Sequence, residues 1–296
     1  MRRFSYYEPQ SLSEAAALLE KYGDKASLLA GGTDLLVEVK EKLRQPDHVI
    51  NLKKIPGLAH LCFDDKDGLR FGTLTTVRAV ETDPAIIAHY AGLQQAALEL
   101  GSIQIRNRAT VVGNICRASP SADTLPPLIA DGTRLRIFGK QGERVVSMED
   151  FFTGPGRTIL ETGEIVTEVL VPPPPVHCGK AYIKHGRRQA MELATVGVAV
   201  HLVQEGDICR EARIVLGAVA PTPIRAPEAE EHLRGAVLDE ATMAEAARLA
   251  KEIARPISDV RSSASYRRAM VEVLTARAIS QAAQRAQNGP APGERK

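Results

Sequence analysis

Residues 28–35 read LLAGGTDL: an apolar run, then Gly31-Gly32, a hydroxyl and a carboxylate. The run reads as a buried strand, and no helical pattern before it calls for a C-terminal cap. Paired glycines after a strand tolerate positive φ and let another group come close to the main chain. AGGTD (30–34) therefore fits a plain turn, or a concave nest of backbone N–H groups that holds an anion without a lysine. Upstream, Ser11 and Glu14 match a capping box, Leu12, Ala15, Ala16 and Leu19 recur at helical spacing, and Gly23 supplies a stop. SLLA (27–30) and HVINL (48–52) read as strands around a second short helical pattern. The spacing predicts a β–α–β-type unit over 1–55, with the double glycine leaving the first of these two strands.

Further along, LAHLCFDD and GLRFGTLTTV read as strands with a turn at Asp67-Gly68. Residues 83–100 carry an apolar stripe that predicts one helix. The next segment, IQIRNRATVVGNICRASPSADTLP (103–126), has little periodicity in its second half. Within it, ATVVGN (109–114) fits a second N–H nest or a strand entering a loop. TRLRIFG (133–139) and ERVVSMEDFF (143–152) restore strand character. VPPPP (171–175) cannot lie inside a helix or a central strand, so it reads as a polyproline connector and a domain boundary. Beyond it, KAYIKHGRR, ATVGVAVHLV and ARIVLGAVA read as three strands, followed by helices over 239–254 and 264–286 and a tail at AQNGPAPGERK.

Composition narrows the function. At 296 residues the chain is long enough for about two domains, and 44% apolar with 25% charged residues is ordinary for a globular protein. A net charge of +2, with no long run of either sign, argues against nucleic acid or an anionic membrane as the main partner. Cys62, Cys116, Cys178 and Cys209 are far apart with no CxxC, which suits a reduced cytoplasmic protein and disfavours a metal site on this chain. No signal peptide or apolar span of membrane length occurs, so the expected location is cytoplasmic. His60, His89 and His201 sit at no metal-ligand spacing and read as surface or satisfied core residues. Neither a Rossmann GxGxxG nor a P-loop is found, and Gly154-Pro155-Gly156 reads as a turn. Nothing marks a nucleophile or an acid–base pair, so no catalytic residue is assigned.

Taken in this order, AGGTDL and IRNRATVVGNICRASPSADTLP, about 75 residues apart, resemble the two flavin-binding motifs of the FAD subunits of molybdenum hydroxylases. That family includes the medium subunit of carbon monoxide dehydrogenase and the FAD domain of xanthine dehydrogenase. The likeness continues through RTILETGEIVTEVLVP (157–172), YIKHGRRQAMELATVGVAV (182–200), IVLGAVAPTPIRA (214–226) and DVRSSASYRRAMVEVL (259–274), and so spans nearly the whole chain.

The resemblance implies an α+β fold: a two-subdomain FAD-binding domain of the PCMH type over 1–57 and 58–175, then a three-stranded antiparallel sheet packed on helices over 176–288, and a tail over 289–296. It implies that Leu29, Ala30, Gly31, Gly32, Thr33, Asp34 and Leu35 cradle the FAD diphosphate from one side, and Ala109, Thr110, Gly113 and Asn114 from the other. Asp123 would accept from cofactor hydroxyls, with a turn or cap role as its alternative. Leu100, Ile165, Val166 and Leu193 would line the flavin or its surroundings, and Lys184 would stand near the cofactor or, alternatively, in solvent. The family's second motif has two glycines where this chain has Val112-Gly113. Val112 cannot readily take positive φ, so the expectation is an altered diphosphate contact at that amide. The implied role is electron transfer: a small [2Fe-2S] subunit and a large subunit with the molybdenum cofactor would be partners, and FAD would pass electrons to an external acceptor. The alternatives are a self-contained FAD oxidoreductase on the same fold, or an interaction module without FAD.

Overall fold

The structure is a computed structural model that describes residues 3–287. Its first unit comprises β1 (Ser5–Tyr7), α1 (Leu12–Tyr22), β2 (Ala26–Leu29), α2 (Leu35–Lys40) and β3 (His48–Asn51). The strands are parallel in the order β1-β3-β2, with Ser5 and Ala26 both opposite His48. Parallel strands need crossovers, which α1 and α2 provide. The expected N-cap is formed, with Ser11 Oγ accepting from the Glu14 amide at 3.2 Å, but the Glu14 carboxylate accepts at 2.9 Å from the Gln10 amide, one residue before the one a capping box uses. Such a cap stabilises a helix by about 1 kcal/mol. Ala15 of α1 then packs on Ala26, Ile50 and Leu52 of this small core.

The second unit runs through β4 (Leu61–Asp64), β5 (Gly68–Gly72), α3 (Val77–Thr82), α4 (Pro84–His89), α5 (Ala91–Glu99), α6 (Ile103–Arg106), α7 (Val111–Arg117) and α8 (Leu125–Ala130). It continues with β6 (Arg134–Gly139), β7 (Gly142–Ser147), the ribbon of β8 (Phe152–Gly154) and β9 (Arg157–Thr158), and β10 (Ile165–Val171). Five strands form an antiparallel sheet, β4-β5-β10-β6-β7, with β10 at its centre.

Three sequence expectations are corrected here. The strand expected through GLRFGTLTTV ends at Gly72, where the chain turns towards α3 and the threonine hydroxyls that follow bond to carbonyls of other segments. Thr73 Oγ1 donates to the Val166 carbonyl at 2.6 Å, Thr75 Oγ1 donates to the His60 carbonyl at 2.7 Å, and Thr76 caps α3. The single helix expected over 83–100 breaks at Tyr90, whose ring is fully buried and whose hydroxyl donates to the Pro172 carbonyl at 2.8 Å. The segment 103–126 holds parts of three short helices, so ATVVGN is a helix start and not a strand entering a loop. Helices of four to seven residues are too short for a 3.6-residue period to declare itself.

The third unit comprises β11 (Cys178–His185), β12 (Val196–Glu205), β13 (Ile208–Gly217), β14 (Ile224–Arg225), α9 (Pro227–Leu233), α10 (Glu240–Ile253) and α11 (Ala264–Gln287). Its antiparallel sheet has the expected three strands plus the two-residue β14. One face, including Val196, Val198, Val200 and Leu202, packs on Ala246, Ala250, Leu274 and Ala278 of the long helices. The other face meets the second unit, and Tyr182, Ala199 and Val215 belong to that unit's core. Successive side chains of a strand alternate, so Cys178, Lys180, Tyr182 and Lys184 of β11 all share the side facing the second unit. The expected tail, 289–296, lies outside the described residues. Among the described residues no helix is long and apolar enough to cross a membrane.

Candidate functional site

The two glycine-bearing segments, far apart in sequence, touch. A Cβ on Gly31 would stand 2.2 Å from the Arg108 carbonyl oxygen and 3.0 Å from the Ala109 Cα, so only glycine permits this approach. Gly32 adopts φ +79°, a left-handed conformation that turns the chain from β2 into α2. Leu29 and Leu35, at the two ends of this turn, pack with Val39 and Val49 in a small cluster of their own. Ala30 and Thr33 are half-buried, and Asp34 is exposed at the start of α2.

The second segment is held from behind. The Val77 amide donates to the Ala109 carbonyl at 2.8 Å, and the Val111 amide donates to the Thr75 carbonyl at 3.2 Å. Thr110 caps α7, its Oγ1 accepting from the Gly113 amide at 3.0 Å. Across the gap, Arg117 of α7 and Glu38 of α2 form an ion pair at 2.7 Å. Among the described residues nothing accepts from the amides of Gly32, Thr33, Asp34 or Val112. Val112 itself lies in the first turn of α7, with helical backbone and a side chain only 3% exposed in the core. Positive φ is therefore not required of it, which removes the reason to expect a distorted loop there.

From α7 the connection runs on to Asp123. Asn114 Oδ1 accepts from Thr124 Oγ1 at 2.8 Å, fixing the residue next to it. Asp123 is buried, and its two oxygens accept from the Tyr182 hydroxyl at 2.8 Å and from Lys184 Nζ at 2.9 Å. Burial pushes its carboxyl up, and the nearby Lys184 ammonium reverses only part of that, leaving it at about 6. Lys184 is not in solvent: its side chain is 5% exposed, and its ammonium also donates to the Glu99 carbonyl at 2.9 Å. A carboxylate offers about four acceptor positions, so Asp123 keeps capacity for further donors. Tyr182 was not singled out in the sequence, although it lies two residues before Lys184 on the same strand face.

The apolar candidates are spread out. Leu100 packs at the edge of the second unit's core next to Glu99, whose carbonyl binds Lys184. Leu193 is 58% exposed in the β11–β12 connection, beyond the Lys184 end of β11. Ile165 and Val166 lie within β10, their side chains 1% and 2% exposed in two different cores.

Comparison with known proteins gives the family. Residues 2–174 match the FAD binding domain in molybdopterin dehydrogenase, and residues 181–282 match the CO dehydrogenase flavoprotein C-terminal domain. The chain is 33% identical to a putative xanthine dehydrogenase FAD-binding subunit of Escherichia coli K12, covering 94% of this chain and 95% of that one. It is 34% identical to the carbon monoxide dehydrogenase medium chain of Afipia carboxidovorans, covering 96% and 98% respectively. A solved carbon monoxide dehydrogenase from Hydrogenophaga pseudoflava superposes with a TM-score of 0.92 at 34% identity, over 96% of this chain and 98% of that one. The chain belongs to the family of FAD-binding oxidoreductase subunits of molybdopterin dehydrogenases.

Proposed function

We propose that this chain is the electron-transfer subunit of a cytoplasmic molybdenum hydroxylase, holding FAD between a partner iron–sulfur subunit that delivers electrons and an external acceptor that removes them. A small [2Fe-2S] subunit and a large subunit carrying the molybdenum cofactor are the partners on this reading. The observation that carries it is the contact of Gly31 with Arg108 and Ala109, which sets the free amides of Gly32, Thr33 and Asp34 beside the start of α7. A diphosphate needs N–H donors at short range with no side chain between, and charge-assisted bonds to it are worth about 1.5–3 kcal/mol each.

Leu29 to Leu35 would form one side of the cradle, and Ala109, Thr110, Gly113 and Asn114 the other, with Thr110 holding α7 in register. Asp123 would accept from cofactor hydroxyls, preoriented by Tyr182 and Lys184. Lys184 would place a cation near the cofactor, and Leu100 and Leu193 would exclude water from the ring, with Ile165 and Val166 packed behind. The bound flavin supplies the redox chemistry, and the residues supply binding, orientation and tuning of its potential. The units on this reading are 1–57, 58–175 and 176–288.

The test is purification of the chain with its native partners, followed by flavin and metal analysis and by reduction of the flavin with a molybdenum-site substrate. Stoichiometric FAD, reduced by substrate in the complex and not in the isolated chain, is the expected result. Substrate oxidation by the isolated chain would overturn it.

A further inference from the structure

Four residues before Lys184, on the same face of β11, a second buried cluster joins the third unit to the second. Asp131, at the end of α8, accepts at one oxygen from both Lys180 Nζ at 3.0 Å and His201 Nδ1 at 2.9 Å. His201 Nε2 in turn lies 3.4 Å from the Cys178 sulfur. Strand register sets this up: Lys180 is opposite His201, and His201 is opposite Arg213. Lys180 Nζ also sits 4.0 Å above the buried Tyr90 ring. An ionised carboxylate only accepts, so His201 Nδ1 carries a proton and Nε2 is left to face the thiol.

We propose that Cys178 is a reactive thiol, set by His201 and Asp131, that forms mixed disulfides with small anionic disulfides. Cys178, half-buried, lines a cleft of about 460 Å³, within the range of small-molecule sites. The cleft is lined by Lys180, Arg285, His177, Pro174 and Gln281, among others, and by no carboxylate. Lys180 is already paired with Asp131, but Arg285 donates to the Gln95 side-chain oxygen and the Lys180 carbonyl and to no carboxylate among the described residues, which favours a negatively charged ligand.

In the step, the Cys178 proton passes to His201 Nε2 and the thiolate sulfur attacks one sulfur of R–S–S–R. The new Cys178–S–S–R bond forms as the old disulfide breaks, and the departing RS⁻ takes a proton. The protein thiol is oxidised, and half of the small disulfide is reduced to a free thiol. Asp131 orients the imidazole and offsets its charge. Burial pushes His201 down, but its hydrogen bonds to Asp131 and Cys178 outweigh this and bring it to about 9, so the imidazole keeps the proton it takes from Cys178. The groups facing it are Asp131 from α8, Cys178 and Lys180 from β11 and Arg213 from β13. The other thiols differ. Burial alone raises Cys116 to about 12 and, as the main cause, Cys209 to about 11, and the exposed Cys62 donates to the Arg70 carbonyl.

The test treats the reduced full-length chain with oxidised glutathione and follows the adducts on Cys178 and Cys62 by peptide mass spectrometry. Cys178 is expected to react about tenfold faster than Cys62 near neutral pH. Its lead should shrink several-fold with the uncharged 2-hydroxyethyl disulfide. H201Q, where it keeps the wild-type melting temperature, should lower the Cys178 rate to that of Cys62. A wild-type Cys178 that reacts no faster than Cys62 overturns the proposal whether or not the variant folds.

Discussion

The carbonyl oxygen of Arg108 stands 2.2 Å from where a Cβ on Gly31 would lie. No rotamer relieves this clash, because the obstructing atom is backbone and Cβ has no torsion of its own. G31A must therefore push the segment 108–110 away from the first loop. Overpacking of this kind costs about 1–3 kcal/mol. The expected outcome is a chain that still folds, with a lowered melting temperature, but loses most of its flavin on gel filtration. Full flavin retention in G31A would show that the contact of the loops is not what holds the cofactor.

Asp123 and Lys184 make a second testable link, since their side chains are 7% and 5% exposed and each is the other's only ionic partner among the described residues. Removing one member of such a pair strands the other and costs about 3–5 kcal/mol. D123N and K184M should each destabilise strongly, and the double variant should cost clearly less than their sum. Chemical denaturation of the four proteins gives the coupling directly. Additive losses would mean that the pair acts as two independent packing residues.

How far the fold could be read beforehand depended on how local its causes are. The α1 cap, the β2 and β3 strands and the helices 240–253 and 264–287 follow from residues within a few positions of one another. The helix α7 did not, because its start is fixed by Thr110 alone and by bonds from Thr75 and Val77. The central strand β10 passed unmarked although it pairs with both β5 and β6, a non-local fact. The loops were legible as glycine patterns, but that Gly31 presses on Arg108 was not. His201 looked like a lone histidine because its partners Asp131, Cys178 and Lys180 come from two other segments.

The pH dependence of stability follows from His201 and Asp123, both of which hold their protons more tightly in the folded state. His201 rises from 6.5 to about 9, so its contribution is complete below about 6.5 and is lost as pH climbs through 9. At about 1.4 kcal/mol per pKa unit, the loss is about 3–4 kcal/mol at most. Asp123 acts in a lower window: rising from 3.8 to about 6, it too makes stability fall as pH increases across that interval. Unfolding free energy should therefore decline from about pH 6.5 to about pH 9 in the wild type, and less steeply in H201Q. An equal slope in the two proteins would assign the decline to other groups.

Val112 decides between two accounts of the second loop. If a glycine were needed there for conformation, V112G would relax the loop and tighten FAD binding. The backbone at Val112 is already helical, however, and its amide has no acceptor among the described residues, so the donor is available with valine in place. Its side chain, 3% exposed, packs in the core of the second unit with Val77, Val111 and Ile115. Replacing it with glycine removes that packing and adds backbone freedom to a helix, at a combined cost of about 2–4 kcal/mol. The expected outcome is a clear drop in melting temperature with FAD affinity within about threefold of wild type, a change worth less than about 0.7 kcal/mol. A tenfold gain in affinity, read by fluorescence titration of FAD, would mean instead that the valine crowds the diphosphate and that the natural chain holds its cofactor weakly.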